Sequence, residues 1–162
     1  MIALDNQPFS VVDNTGFERL INLLEPRYKL PSRCYFAEVA IPDIYKEVKD
    51  KVQDFLQHQE YLSCTTDLWS SVAQDSMLSL TAHCISSDFN PKSFVLQSVE
   101  FNDSHTGEKI ANLITTCLQS WKVDKKMVCI VRDNGSNFVA GLRDSGLPNI
   151  FCLAHTYTPV GH

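Results

Sequence analysis

The stretch MVCIVRDNGSNF, residues 127–138, gives the clearest indication of the fold of this chain. It begins as a continuous apolar run, which is typical of a strand buried on both faces of a sheet. At an acid, Asp133, it changes to small polar residues that favour a turn. The pattern therefore predicts a strand over 127–133 and a short helix over 136–142.

Three upstream segments predict strands, because they are rich in β-branched and aromatic residues and are separated by short turns. They are YLSCTTDLW (61–69), MLSLTAHCI (77–85) and SFVLQSVEF (93–101). A helix over 107–120, capped by Thr106, precedes the fourth strand, and NIFCLAH (149–155) predicts a fifth. The order β-β-β-α-β-α-β predicts an α/β fold with a mixed sheet, whose right-handed crossover lays the fourth strand parallel to the first.

The residues before the sheet predict a helical segment over 1–58. Prolines punctuate the first 42 residues, which we expect to be irregular apart from one helix that starts after Asn14 or Thr15 and stops at Pro26. Asp43 is expected to cap a second, amphipathic helix that runs to residue 57. This segment leads into the sheet.

Composition limits the function classes. The 162 residues suffice for one domain, and their net charge of -5 disfavours a module that coats DNA unaided, since that affinity rests on Lys and Arg. No apolar run approaches the roughly 18 residues of a membrane span, and the N-terminus lacks a signal peptide, so we expect an intracellular protein. The six cysteines show no zinc-ligand spacing, so we expect reduced, buried thiols and no zinc site.

Two carboxylates are predicted to meet at one edge of the sheet. Asp67 lies near the end of the first strand and Asp133 at the end of the fourth. Parallel strands would place these ends side by side, and carboxylate oxygens are the ligands that Mg²⁺ and Mn²⁺ prefer. The simpler alternative stays open: Asp is common at strand ends, where its side chain accepts hydrogen bonds from the turn that follows.

Five blocks of this sequence resemble hAT-family transposases and, more closely, their domesticated relatives, the zinc-finger BED-type domain-containing proteins. The blocks are TTDLWSS (65–71), LTAHCI (80–85), FNDSHTGEKIANLI (101–114), IVRDNGSNFVAGL (130–142) and CLAH (152–155). Residues 8–33 are similar to the segment that precedes the catalytic core in that family. The resemblance extends to about residue 156.

The resemblance implies an RNase H-like fold over residues 59–156. It also implies catalysis by an acidic triad that binds divalent metal and cleaves and joins DNA strands. The first acid falls on Asp67 and the second on Asp133, while the family's C-x-x-H element falls on Cys152 and His155. On this basis Mg²⁺ or Mn²⁺ is expected at Asp67 and Asp133.

Departures from the family pattern predict an incomplete domain. The third acid of the family is a distant downstream glutamate, which we expect to be missing here along with the BED finger and the dimerisation segment. The tail YTPVGH (157–162) replaces a helix, which Pro159 and Gly161 oppose. We therefore expect a truncated product with a divergent C-terminal tail.

Other residues near the predicted site have two interpretations each. Glu108 would substitute for the third acid, or it would only complement the positive end of its helix. His105 and His83 are candidate ligands or hydrogen-bonded structural residues. Trp69, two positions after Asp67, would stack on a base or cover the end of the sheet.

The sequence predicts a fragment of a hAT transposase-derived nuclear protein that is non-catalytic alone. Its full-length relatives would bind DNA and regulate transcription, whereas this fragment would bind DNA weakly or not at all. The alternative is a remnant of an active DNA transposase that needs its third acid. A third class, an unrelated metal-dependent phosphoesterase, does not predict five ordered blocks. Apolar surface left uncovered by missing helices is expected to favour protein association.

Overall fold

The computed structural model describes residues 2–70, 76–101 and 106–155, without the side chains of residues 70, 137, 144 and 155. His105 and the tail 157–162 of the sequence predictions lie outside these ranges. The chain divides into two compact units, Met1–Val52 and Gln53–His162, whereas the sequence predicted a boundary after residue 58. No helix within the described ranges is long and apolar enough to cross a membrane.

The second unit is built on a mixed five-stranded sheet. Its strands are β1 Leu62–Ser70, β2 Ser76–Ile85, β3 Pro91–Glu100, β4 Met127–Arg132 and β5 Asn149–Phe151. Their order in the sheet is β3-β2-β1-β4-β5. The first three strands are antiparallel, while β4 is parallel to both β1 and β5. The predicted α/β class, the order of elements and the parallel crossover are confirmed.

Alternation along the strands gives the sheet two chemically different faces. One face, called the covered face, carries side chains that are almost fully buried: Leu62, Cys64, Leu78, Leu80, Ala82, Leu96 and Ile130. Helix α4, Gly107–Ser120, lies over it and buries its own Ile110, Ile114 and Leu118. The indole Nε1 of Trp121, just after α4, donates to the Leu96 carbonyl at 3.2 Å.

The opposite face, called the polar face, carries Ser63, Thr65, Asp67, Thr81, His83 and Ser93. These side chains are half-buried or exposed. The central strands of this face present mainly hydroxyl and imidazole groups, together with the exposed apolar side chains of Trp69 and Val95. At the β5 edge, Ile150, Phe151 and Leu153 are more than half exposed.

Helix α5, Ser136–Asp144, packs against α4 through a glycine contact. A Cβ atom added to Gly141 would lie 2.0 Å from the backbone carbonyl oxygen of Gly107. Only a residue without a Cβ permits that approach. Phe138 and Leu142 of α5 are fully buried as a consequence of this close packing.

Strand β5 is shorter than predicted, because it ends at Phe151 and residues Leu153–His155 form a 3₁₀ turn. Phe151 pairs with Arg132, the last residue of β4. One more backbone bond follows, from the Cys152 amide to the Arg132 carbonyl at 2.6 Å. Since β4 then turns away at Asp133, the later residues of the predicted strand have no partner strand there.

The first unit is more helical than predicted. Helix α1, Thr15–Leu24, agrees with expectation, but residues 33–40 form α2, Arg33–Tyr35, and a π-helical turn, Phe36–Ala40, that leads into α3, Ile41–Gln57. Ser32, not Asp43, is the cap, since its hydroxyl accepts the Tyr35 amide at 3.2 Å. The wider π turn just before Pro42 fits a residue that lacks an amide and crowds the carbonyl four positions earlier.

Candidate divalent-metal site

The sheet register makes neighbours of the two strands that lead to the predicted carboxylates. In the parallel pair of β1 and β4, Thr65 is the partner of Val131. Asp67 lies two residues after Thr65 within β1, and Asp133 lies two residues after Val131, directly after the last residue of β4. The crossover through α4 therefore brings the two segments that carry these aspartates to the same end of the sheet.

Asp67 is an exposed residue within β1, on the polar face. Its Oδ1 accepts the backbone amide of Leu68 at 3.0 Å. On the other side, Asp67 is the antiparallel partner of Ser79 in β2. A carboxylate on a paired strand holds its position better than one on a loop, which is what a ligand-binding group requires.

Asp133 is half-buried and opens the turn that leads into α5. Its Oδ1 accepts the Gly135 amide at 2.8 Å, as an Asx turn does. Gly135 fits closely under this carboxylate, because an added Cβ would lie 3.0 Å from that same Oδ1. The turn-forming interpretation of Asp133 is therefore correct, but a carboxylate has about four lone-pair sites and can bind a cation as well.

A hydrogen-bonded group behind Asp133 was missed by the sequence analysis. The Arg132 guanidinium donates from Nη1 to the Asp133 carbonyl at 2.9 Å and from Nε to Asn149 Oδ1 at 3.0 Å. The Asn149 amide nitrogen in turn donates to the carbonyls of Leu142 and Leu147, at 3.2 and 2.9 Å. The signal was present: an arginine ends an otherwise apolar strand directly before the acid.

On the polar face, opposite Ser63 and four residues before Asp67 in the register, a histidine joins three strands. His83 Nε2 lies 2.9 Å from Thr65 Oγ1, and its Nδ1 lies 2.8 Å from Ser93 Oγ. Both ring nitrogens therefore have hydroxyl partners on the neighbouring strands. This arrangement supports the structural interpretation of His83 and not the ligand interpretation.

Glu108 is not brought together with the two aspartates. It is exposed in the first turn of α4 and lines a groove of about 560 Å³ between α4 and α5, with Asn112, Thr115 and Ser145. Among the described residues, no three His, Cys, Asp or Glu side chains are grouped to hold a metal ion. Its substitution for a third acid remains a prediction without a contact to support it.

The remaining predicted residues lie around the same part of the sheet. Trp69 is 41% exposed near the end of β1 and is the partner of Met77, so it is accessible for stacking and also covers β2. Cys152 is half-buried directly after β5. The backbone of His155 belongs to the 3₁₀ turn, but its side chain lies outside the described atoms.

Of the six cysteines expected to be buried thiols, Cys64, Cys84 and Cys117 are buried, whereas Cys129 and Cys152 are half-buried and Cys34 is exposed. Burial under α4, with a smaller contribution from the nearby Cys117 thiol, raises the pKa of the Cys64 thiol to about 12. Burial also raises the pKa of Cys84. These thiols are kept protonated, so they act as core residues.

The donor set fits one hard divalent cation. Mg²⁺ is commonly held by one or two carboxylates together with waters and substrate phosphate, which matches two aspartates at an accessible sheet edge. Two cations would bring four positive charges to two negative ones. By charge alone, the two aspartates would match a single divalent ion.

Comparison with known proteins agrees with this architecture. Residues 65–145 match the ZBED1 RNase-like domain family. The zinc finger BED domain-containing protein 4 of Homo sapiens is 31% identical over 96% of this chain and 14% of its own length. A putative AC transposase of Zea mays is 28% identical over 83% of this chain and 17% of its own length.

A putative transcriptional regulator, tpeD of Talaromyces stipitatus, is 22% identical over 95% of this chain and 20% of its own length. The chain thus spans between 14% and 20% of the length of these three relatives. The matched region contains the strands with both aspartates and the helix between them.

Proposed function

We propose that this chain, which belongs to the ZBED1 RNase-like domain family, is a domain derived from a hAT transposase in which Asp67 and Asp133 bind one Mg²⁺ or Mn²⁺. In this proposal the domain does not cleave DNA by itself. One observation supports the proposal: β1 and β4 are paired in parallel as far as Thr65 and Val131, two residues before each aspartate.

The charge balance supports a binding role over a cleaving one. Two-ion phosphodiester cleavage uses cations about 3.5–4 Å apart, one for the attacking and one for the leaving oxygen. Two aspartates offset the charge of one such ion only. A single ion at this edge would bind the oxygens of a DNA phosphate. The polar face would then position the DNA strand beside Trp69.

Mn²⁺ titration by calorimetry tests the binding site. We expect binding by the wild-type chain, at least about tenfold weaker binding by Asp67→Asn and by Asp133→Asn, and none by the double variant. Glu108→Gln is the matched control, since it neutralises an exposed carboxylate that is not grouped with the pair. A folded wild-type chain that does not bind Mn²⁺ would refute the proposal.

A second candidate function is DNA strand cleavage and transfer, as in a working transposase. The parallel pairing of β1 and β4 just before both aspartates favours it, and so does the similarity to a putative AC transposase. A nicking assay with Mn²⁺ decides between the two. Cleavage by the wild type that is lost in Asp67→Asn would replace the first proposal with the second.

The cellular role is proposed from the same relatives. We place the chain in the nucleus, as part of a protein that acts on DNA or its transcription. The net charge of -5 predicts that DNA affinity comes mainly from elsewhere in such a protein. The exposed apolar residues at the β5 edge, Ile150, Phe151 and Leu153, would contribute to association with other proteins. Expression with a fluorescent tag tests the location.

A further inference from the structure

We propose that Arg132 is a positioning residue that sets the geometry of the Asp133 carboxylate through a fixed hydrogen-bonded group with Asn149. The inference rests on the proposed metal-binding function of Asp133. It assigns a positioning role to Arg132 and Asn149, whose side chains are not proposed to bind the cation directly.

Arg132 holds the backbone of Asp133. Its Nη1 donates to the Asp133 carbonyl at 2.9 Å, which fixes the orientation of the peptide group that follows the acid. The side chain of Asp133 is fixed separately, because Oδ1 accepts the Gly135 amide at 2.8 Å. The carboxylate is therefore held in two ways, through the backbone of Asp133 and through one of its own oxygens.

Asn149 holds Arg132 in turn. Its Oδ1 accepts Arg132 Nε at 3.0 Å, and its amide nitrogen donates to the carbonyls of Leu142 in α5 and Leu147 in the following loop. These two carbonyl acceptors settle which end of the amide faces the guanidinium, since a reversed amide would bring N–H groups toward N–H groups. The group joins β4, β5 and the last turn of α5.

The forked guanidinium is needed for this task. Its Nε and Nη1 donate in two fixed directions to two acceptors on different segments. A lysine ammonium at the end of a flexible stem keeps the charge but not the fork. Arg132→Lys therefore separates the geometric role of the residue from its charge.

The sign of the effect distinguishes positioning from simple electrostatics. A positive charge near a cation site opposes metal binding, so charge removal alone would strengthen Mn²⁺ binding. Positioning predicts the reverse: Arg132→Met and Arg132→Lys both weaken Mn²⁺ binding by about 10- to 100-fold, as loss of an outer-sphere support does. Lys125→Met, a distant exposed charge removal, controls for net charge.

The experiment combines Mn²⁺ calorimetry with hydrogen exchange at the Gly135 amide, on the full chain and under conditions where circular dichroism shows each variant folded. We expect weaker Mn²⁺ binding and faster Gly135 exchange in both Arg132 variants, with neither change in Lys125→Met. Asn149→Ser should reproduce both effects. Unchanged or tighter Mn²⁺ binding in Arg132→Met would overturn the inference.

Failure of the proposed function is distinguishable in the same data. If the wild type does not bind Mn²⁺, the metal site is refuted, and the Gly135 amide alone then tests the positioning of Asp133. Faster exchange in both Arg132 variants would uphold that positioning without a metal. Unchanged exchange would overturn it.

Discussion

The covered face and the polar face of this sheet are made by the same strands but carry different kinds of side chain. On the covered face, alternate residues such as Leu80, Ala82 and Ile130 are fully buried under helices. On the polar face, the residues between them carry hydroxyls, an imidazole and Asp67. Because successive side chains of a strand point to opposite faces, one stretch of sequence supplies both buried core residues and accessible polar residues. Stability should thus depend on one face and ligand binding on the other.

The helix layer of the covered face should be the most sensitive point. Gly141→Ala brings a Cβ to 2.0 Å from the Gly107 carbonyl oxygen, so α4 and α5 must separate and uncover the core between them. We expect a loss of more than about 4 kcal/mol of unfolding free energy, among the largest single-residue effects. Urea denaturation followed by circular dichroism measures it.

Gly16→Ala is the matched control for that substitution. Gly16 lies in α1, and an added Cβ there meets nothing within 4 Å. Alanine is favoured over glycine in a helix by up to about 1 kcal/mol, so this variant should be neutral or slightly more stable. Equal losses in both variants would remove the distinction on which the prediction depends.

A pair of truncations compares the two faces directly. Leu80→Ala deletes a fully buried side chain from the covered face and should cost about 2–4 kcal/mol. Val95→Ala shortens a side chain that is 66% exposed on the polar side of β3 and should stay within about 0.5 kcal/mol. Denaturant midpoints with unchanged slopes report both values, and similar losses would contradict the division of the sheet.

The buried thiols predict a dependence of stability on pH. Burial raises the pKa of Cys64 to about 12, from 9.0 for an ordinary thiol. Between these values the unfolded chain has released this proton and the folded chain retains it. The free energy of unfolding therefore falls as pH rises above 9, by at most about 1.4 kcal/mol per pH unit for this group.

Cys64→Ala should flatten the pH dependence above pH 9, whereas Cys34→Ala, at an exposed cysteine, should leave it unchanged. Lysine and tyrosine also titrate in this range, so the measured quantity is the difference in slope between each variant and the wild type. An identical slope in Cys64→Ala would mean that the thiol is not isolated from water under α4.

Sequence patterns predicted the fold where the spacing of apolar side chains and the rules of strand connection indicate the same arrangement. The apolar run before Asp133 identified a central strand, and the right-handed crossover placed it beside β1, so the strands that lead to Asp67 and Asp133 are neighbours. The helix over 33–40 was missed because Pro42 indicates a break, and only the π-helical turn before it makes the continuous helix acceptable.

The support of the site was missed for a different reason. The bond from Arg132 to Asn149 joins residues on neighbouring strands, and the Asn149 amide reaches carbonyls of α5 and its loop. Local pattern gives the identity of such residues but not the distances between their polar atoms. Alternation placed His83 on a strand, but could not show that hydroxyls of β1 and β3 engage both of its nitrogens.

The smallest expected effect tests whether the polar face contains a specific hydrogen bond between its side chains. His83 stands opposite Ser63 in the register, yet its Nε2 pairs with Thr65 at 2.9 Å. A double-mutant cycle of Thr65→Val with His83→Phe should give a coupling of about 0.5–1.5 kcal/mol, the net worth of one hydrogen bond. The same cycle with Ser63→Ala should give a coupling near zero.

If Ser63 couples to His83 as strongly as Thr65 does, proximity explains the effect and the hydrogen bond does not. Coupling through Thr65 alone would mean that this face contains a specific side-chain hydrogen bond two residues before Asp67 in β1.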